Sequence, residues 1–237
     1  MSGRSLDEVL SLCLQSEAVL VATLSEAAAM FDAPSLLPEW SRSHLVAHLA
    51  GNAAALTNLL TWARSGVVTP MYESPEARQQ QIDTDSQKER DWLIGQFLAT
   101  SSTLIGAMQS LPRDAWAAQV QTAQGRLVTA AEIPWMRLRE SAIHLVDLDL
   151  GVGFDALPSK VVDLLLDEIT VTLSARPGCP AVALTATDRP HTWQVGPEDA
   201  TQPHELRATA AELLAWVAGR QATLKSTVST IALPRWL

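Results

Sequence analysis

Four long stretches in which apolar residues recur at helical spacing, set apart by polar or proline-marked breaks, most constrain what this chain can fold into. They run over about 5–31, 41–66, 86–111 and 129–150. Each presents one apolar stripe that must be buried against the others, and four such stretches predict a helix bundle. Ser41 is placed to cap the second helix, and Gly66 to end it. In the third, Trp92, Leu93, Phe97, Leu104, Ile105 and Met108 follow one another at helical spacing up to Pro112, which marks them as core. The connection from Val67 to Pro75 is long, holds Pro70 and Pro75, and abuts a helix end, a setting in which loops often carry function.

Gly151 and Gly153 end the fourth stretch, and the pattern then changes. Lys160 to Ser174 reads as another amphipathic helix. Ala181 to Thr187 and Thr192 to Val195 read as two strands joined by a hairpin-like turn through Asp188, Arg189, Pro190 and His191. Glu205 to Arg207 adds a short strand before a helix over Thr209 to Ala218 that closes at Gly219-Arg220. The expected fold is therefore α+β: a four-helix bundle over 1–153, then a smaller mixed α/β domain over 154–237. No internal repeat interrupts this order.

Composition excludes several classes of function. Lys and Arg total 17 against 26 Asp and Glu, and the net charge of −9 gives no basic stripe for nucleic acid or anionic lipid. With 47% apolar residues and mean hydropathy of +0.09, the chain is a globule rather than a disordered segment. Glu17 and Glu26 interrupt the most apolar N-terminal stretch, so it is expected as a packed helix rather than a membrane span. No signal-peptide pattern precedes it, which predicts a cytoplasmic protein. The default expectation is a monomer, since no heptad seam or exposed apolar stripe is visible. Only Cys13 and Cys179 are present, far apart and in no metal-binding spacing. Cys13 lies among leucines and reads as core, so a thiol used in chemistry would come from outside the chain.

Glu140 and His144 carry the chemistry. Four residues apart on one helix, they project from the same face about 40° apart, a spacing that can place two ligands on one metal ion. A catalytic zinc site needs three protein ligands and one open position, so a third must come from another helix. His48 lies near the buried side of its helix, among Leu45, Leu49 and Leu56. His44 shares that face one turn earlier, and spacing alone does not separate the two. His191 and His204, in a turn and beside Pro203, are expected to be exposed.

The string Trp40-Ser41-Arg42-Ser43-His44-Leu45-Val46-Ala47-His48-Leu49-Ala50, followed by Asn52, resembles the second helix of the mycothiol-dependent maleylpyruvate isomerases. Thr69-Pro70-Met71-Tyr72 with Ser74 to Arg78 is similar to that family's active-site loop, and Thr122 to Arg126 to its segment before the ligand helix. Trp135-Met136-Arg137, Arg139-Glu140, His144 and Val146-Asp147-Leu148 resemble the ligand helix. Ala218-Gly219-Arg220 and the terminal Pro234 to Leu237 match as well.

The resemblance implies a DinB-like four-helix bundle followed by a sterol-carrier-like α/β domain. It implies zinc ligands His48, Glu140 and His144, which also selects His48 over His44. It further implies a catalytic arginine at Arg220, a substrate-binding arginine at Arg78, and mycothiol as the thiol cofactor. Without the resemblance, Arg220 reads as a cation satisfying a helix C-terminus and Arg78 as a solvated loop charge. Asn52, one turn beyond His48, is open to two roles, contact with cofactor or substrate and plain bundle packing. The implied reaction is cis-trans isomerisation of maleylpyruvate to fumarylpyruvate by reversible thiolate addition, a step of aromatic degradation through the gentisate pathway. The expected partners are therefore a small dicarboxylate and a low-molecular-weight thiol. Two alternatives remain at this point: a mycothiol S-transferase acting on another electrophile, and a non-catalytic metal- or ligand-binding module.

Overall fold

A computed structural model of the chain describes residues 5–27, 31–197, 200, 202–220 and 231–236. The chain divides into two compact units, Met1–Gly151 and Val152–Leu237.

Four long helices build the first unit: α1 (Leu6–Glu26), α2 (Arg42–Ser65), α4 (Arg90–Gln109) and α5 (Ile133–Asp147), with a shorter α3 (Pro75–Asp85) between α2 and α4. Their boundaries follow local chemistry. The Ser5 hydroxyl accepts from Glu8 N at the start of α1. Ser41 caps α2 in a reciprocal arrangement in which its hydroxyl accepts from His44 N, while Nδ1 of His44 accepts from Ser41 N. Gly66 ends α2 with φ of 72°, its N–H reaching Trp62 O at 2.8 Å. That left-handed turn is open to glycine at little cost. The first segment was expected to reach about residue 31. α1 stops at Glu26, and 28–30 lie outside the described residues.

α2 is the spine of this unit, packing against α3, α4 and α5, while α1 packs on α5. By length and hydropathy alone α1 is apolar enough to cross a membrane. In the structure it turns Val9, Cys13, Leu20 and Leu24 into the bundle core. Two features depart from the expectation. The stretch between the second and third expected helices, left without an element beyond Pro75, folds as α3, opened by Ser74 as cap and Pro75 in the first turn. A small hairpin, β1 (Gln119–Gln121) and β2 (Leu127–Thr129), also precedes α5.

The second unit holds α6 (Ser159–Ser174), β3 (Val182–Ala186), β4 (Thr192–Val195), β5 (His204–Ala208) and α7 (Ala210–Val217). The sheet order is β4-β3-β5. β3 and β4 form the expected antiparallel hairpin, and β5 runs parallel to β3, pairing Leu184 with Leu206. Alternating burial puts Val182, Leu184, Val195 and Leu206 on one face, where α6 and α7 supply Val161, Leu165, Ile169, Leu213 and Leu214. Asp167 accepts from the Trp193 indole at 2.7 Å, and Asp163 from Arg189 at 2.8 Å, fixing α6 to the hairpin. The α+β class is as the sequence predicted.

Candidate metal centre

α2 and α5 pack side by side and bring together residues 92 positions apart in sequence. His48 sits on the buried side of α2, at 5% exposure. Its Nε2 lies 2.9 Å from Oε2 of Glu140, and Nε2 of His144, one turn further along α5, lies 3.3 Å from the same oxygen. The two rings meet edge to face with centroids 5.0 Å apart. One donor atom from each residue lies within 4.8 Å of the others, and no other His, Cys, Asp and Glu cluster of this kind occurs among the described residues. A tetrahedral site with bonds of about 2.1 Å separates its donors by roughly 3.4 Å, close to the observed contacts. Two imidazoles and a carboxylate therefore fit a single zinc-like ion with one position left for a further ligand. His44 is kept out of this cluster by its local partner: Nδ1 lies 2.7 Å from the Ser41 hydroxyl.

Two arginines hold α2 and α5 in register. Arg137, on α5, is fully buried. It donates from Nε and Nη2 to the Glu17 carboxylate at 2.9 and 2.6 Å, and from Nη1 to Leu49 O and Asn52 Oδ1 at 2.9 and 3.0 Å. Ser141 and Ser101 complete the shell around Glu17. Burial of a charge pair is tolerable only when its hydrogen-bonding capacity is met, and here it is. At the other end Arg42, the first residue of α2, donates to Leu148 O and Asp149 O at 2.7 and 2.8 Å, satisfying carbonyls at the C-terminus of α5.

The electrostatics of the three candidate ligands are coupled. Burial alone drives the Glu140 carboxyl upward, yet the hydrogen bonds and charges of His144 and His48 outweigh it and hold it well below the usual carboxylate range. Burial dominates at His48 and lowers it. At His144 burial is overcome by hydrogen bonds to Asp147 and Glu140, and the ring is raised. The ionised carboxylate is the state a divalent cation requires, and the proton that the raised His144 ring favours is one the cation would displace.

Around the centre, Trp40 lies against His48 at 5.5 Å between ring centroids. Arg78, on α3, approaches Nδ1 of His48 at 3.1 Å and stacks over the Tyr72 ring at 5.7 Å. Arg78 and Tyr72 also line a cavity of about 440 Å³ with Asn58, Thr69, Met71 and Gln81. Arg78 is therefore not a solvated loop charge; it lines the cavity and contacts His48. Burial raises the Tyr72 phenol despite the nearby Arg78 charge.

The remaining expected residues fall elsewhere. Asn52 is buried and gives its side-chain oxygen to Arg137, so of its two open roles this atom serves the bundle. Arg220 belongs to the second unit, just past α7, where Nη1 donates to Ala218 O at 2.7 Å. Cys13 is a core thiol that burial pushes up to about 12. Cys179 is also buried, and His191 and His204 are exposed as expected. Sequence reasoning quoted Arg137, Tyr72 and Asp147 without giving them work. The available signal was charge inside apolar helical runs, Glu17 in α1 and Arg137 in α5, which calls for a buried partner.

Fold and site define a helix-bundle protein with a candidate mononuclear metal centre, carrying a second, α/β unit. Residues 13–149 match the mycothiol maleylpyruvate isomerase N-terminal domain, and residues 156–234 the MDMPI C-terminal domain, the abbreviation standing for the same isomerase. The chain belongs to the mycothiol-dependent maleylpyruvate isomerase family. A crystal structure of a mycothiol-dependent maleylpyruvate isomerase is 34% identical to it, with a TM-score of 0.90 and 98% of each chain covered. A crystal structure of a histidine-to-alanine mutant of that isomerase gives the same values. A comparison with curated proteins finds no match.

Proposed function

We propose that this chain is a mycothiol-dependent cis-trans isomerase of maleylpyruvate, with zinc held by His48, Glu140 and His144. The observation that carries this is the convergence of both Nε2 atoms on one Glu140 oxygen, in a chain of this family. Zinc bound there would stabilise the thiolate form of the cofactor, whose reversible addition to the conjugated alkene removes the double-bond character that blocks rotation.

The chain's own residues do the rest. His48, Glu140 and His144 would hold the ion, leaving it open to the thiol. Arg78 presents a guanidinium between the cavity and the centre, suited to bidentate pairing with a substrate carboxylate. Trp40 and Met71 add apolar surface at the edges, limiting water near a reactive adduct. The resemblance around Ala218-Gly219-Arg220 supports a catalytic role for Arg220.

Absorbance of maleylpyruvate with zinc-loaded protein, with and without mycothiol, and mass spectra of the products test this. Conversion to fumarylpyruvate that requires the thiol and leaves it unconsumed is expected, with Arg220→Ala keeping zinc but losing turnover. A product with the thiol still attached would instead assign an S-transferase.

A further inference from the structure

Asp147 is the last residue of α5 and is fully buried. A carboxylate in that place faces two penalties. Burial removes its water, and a negative charge in the last turn opposes the carbonyl end of the helix dipole. A donor must offset both, and Nδ1 of His144 lies 2.9 Å from its Oδ2. The contact is directional. A carboxylate only accepts, so Nδ1 carries the proton, and the lone pair of the neutral ring is then on Nε2. Nε2 is the atom that faces Glu140 and the centre.

His48 is held in the opposite sense: its Nδ1 faces the Arg78 guanidinium, a donor, at 3.1 Å. Of the two imidazoles, His144 alone has an acceptor behind it that turns its Nε2 lone pair inward. The acceptor is itself anchored, because the Asp147 carbonyl receives Leu36 N at 2.9 Å, from the segment leading into α2.

We propose that Asp147 is a positioning residue of the metal centre, whose carboxylate holds His144 in the tautomer and orientation that offer Nε2 to the ion. Metal affinity then depends on a side chain that does not touch the metal. The inference rests on the metal centre proposed above, and groups that orient metal-bound histidines in this way commonly change affinity about 10–100-fold when replaced.

The test is zinc affinity by competition with a chromophoric chelator, for the full chain and for Asp147→Asn, Asp147→Ser, His144→Ala and the double variant His144→Ala with Asp147→Asn. Asparagine is close to isosteric but can accept or donate, so it no longer selects a tautomer. The expected result is a loss of about 10–100-fold in Asp147→Asn and Asp147→Ser, with circular dichroism of the apo proteins unchanged. In the His144→Ala background Asp147→Asn should have no further effect. Unchanged affinity in both single variants overturns the inference, as does an equal loss with and without His144, which would mark Asp147 as merely structural. Failure of the unsubstituted chain to bind zinc at all would overturn the metal centre itself, a separate result.

Discussion

Glu17 shows how much a single residue settles in this bundle. It breaks the apolar stretch of α1, and its carboxylate is buried against Arg137, which also grips Leu49 O and Asn52 of α2. Removing one partner leaves a buried charge uncompensated, so Glu17→Ala is expected to cost about 3–5 kcal/mol, read as a lower urea midpoint. Pairing it with Arg137→Met should recover much of that loss. Burial pushes the Glu17 carboxyl up, but the Arg137 charge and hydrogen bonds from Arg137, Ser101 and Ser141 bring it below its ordinary value. A lowered folded value means that its contribution is complete above the ordinary glutamate range, about pH 4.3, and is lost as pH falls through the folded value. Glu17→Gln should therefore flatten that part of the acid-unfolding curve. An unchanged acid profile would show that Glu17 is not held ionised. The two histidines of α2 give a second prediction at this scale. His44 serves the N-cap, so His44→Ala should cost about 1 kcal/mol and keep zinc affinity, whereas His48→Ala should weaken zinc binding severely. Loss of zinc in both variants would mean that the cap is needed to present His48.

Elements were legible in the sequence in proportion to the apolar surface they bury. α2, α4, α5 and α6 each commit a face to a core, and their periodicity and end signals placed them within a few residues. α3 buries only Ile82 and is otherwise polar, so no period marks it. Ser74-Pro75 was its only signal, and a serine cap followed by proline also begins many turns. The β1–β2 hairpin escaped for another reason: strands of three residues are too short to show alternation. The parallel pairing of β5 with β3 joins segments separated by β4, and a period within either strand says nothing of its neighbour. The same limit applied at the site. Spacing found Glu140 with His144, but His44 and His48 were equivalent by period, and what separates them physically is that His44 turns to Ser41 while His48 reaches Glu140. Gly125, at φ of 81°, forms the turn of the missed hairpin. Gly125→Ala forces a Cβ into the left-handed region and is expected to cost about 1–2 kcal/mol, lowering the melting temperature while zinc stoichiometry stays the same. A neutral substitution would mean that the turn relaxes to another conformation.

All three proposed ligands lie in the first unit, and each unit has its own buried core. An ion that binds only the folded state stabilises it by RT ln(1 + [L]/Kd), about 2.7 kcal/mol at one hundred times Kd. That free energy belongs to the opening reactions that break the ligand set, and amide hydrogen exchange resolves such openings segment by segment. Zinc should therefore slow exchange most in α2 and α5, where opening separates His48 from Glu140 and His144. The amides of β3 and α6, whose opening leaves all three ligands in place, should exchange at the same rate with zinc or with chelator. If β3 and α6 gain as much protection as α2 and α5, the two units open together, and zinc is felt by the chain as one cooperative body. If no segment responds to zinc, the contacts to the Glu140 oxygen are the hydrogen bonds of a buried polar cluster, and the metal assignment fails at its first step.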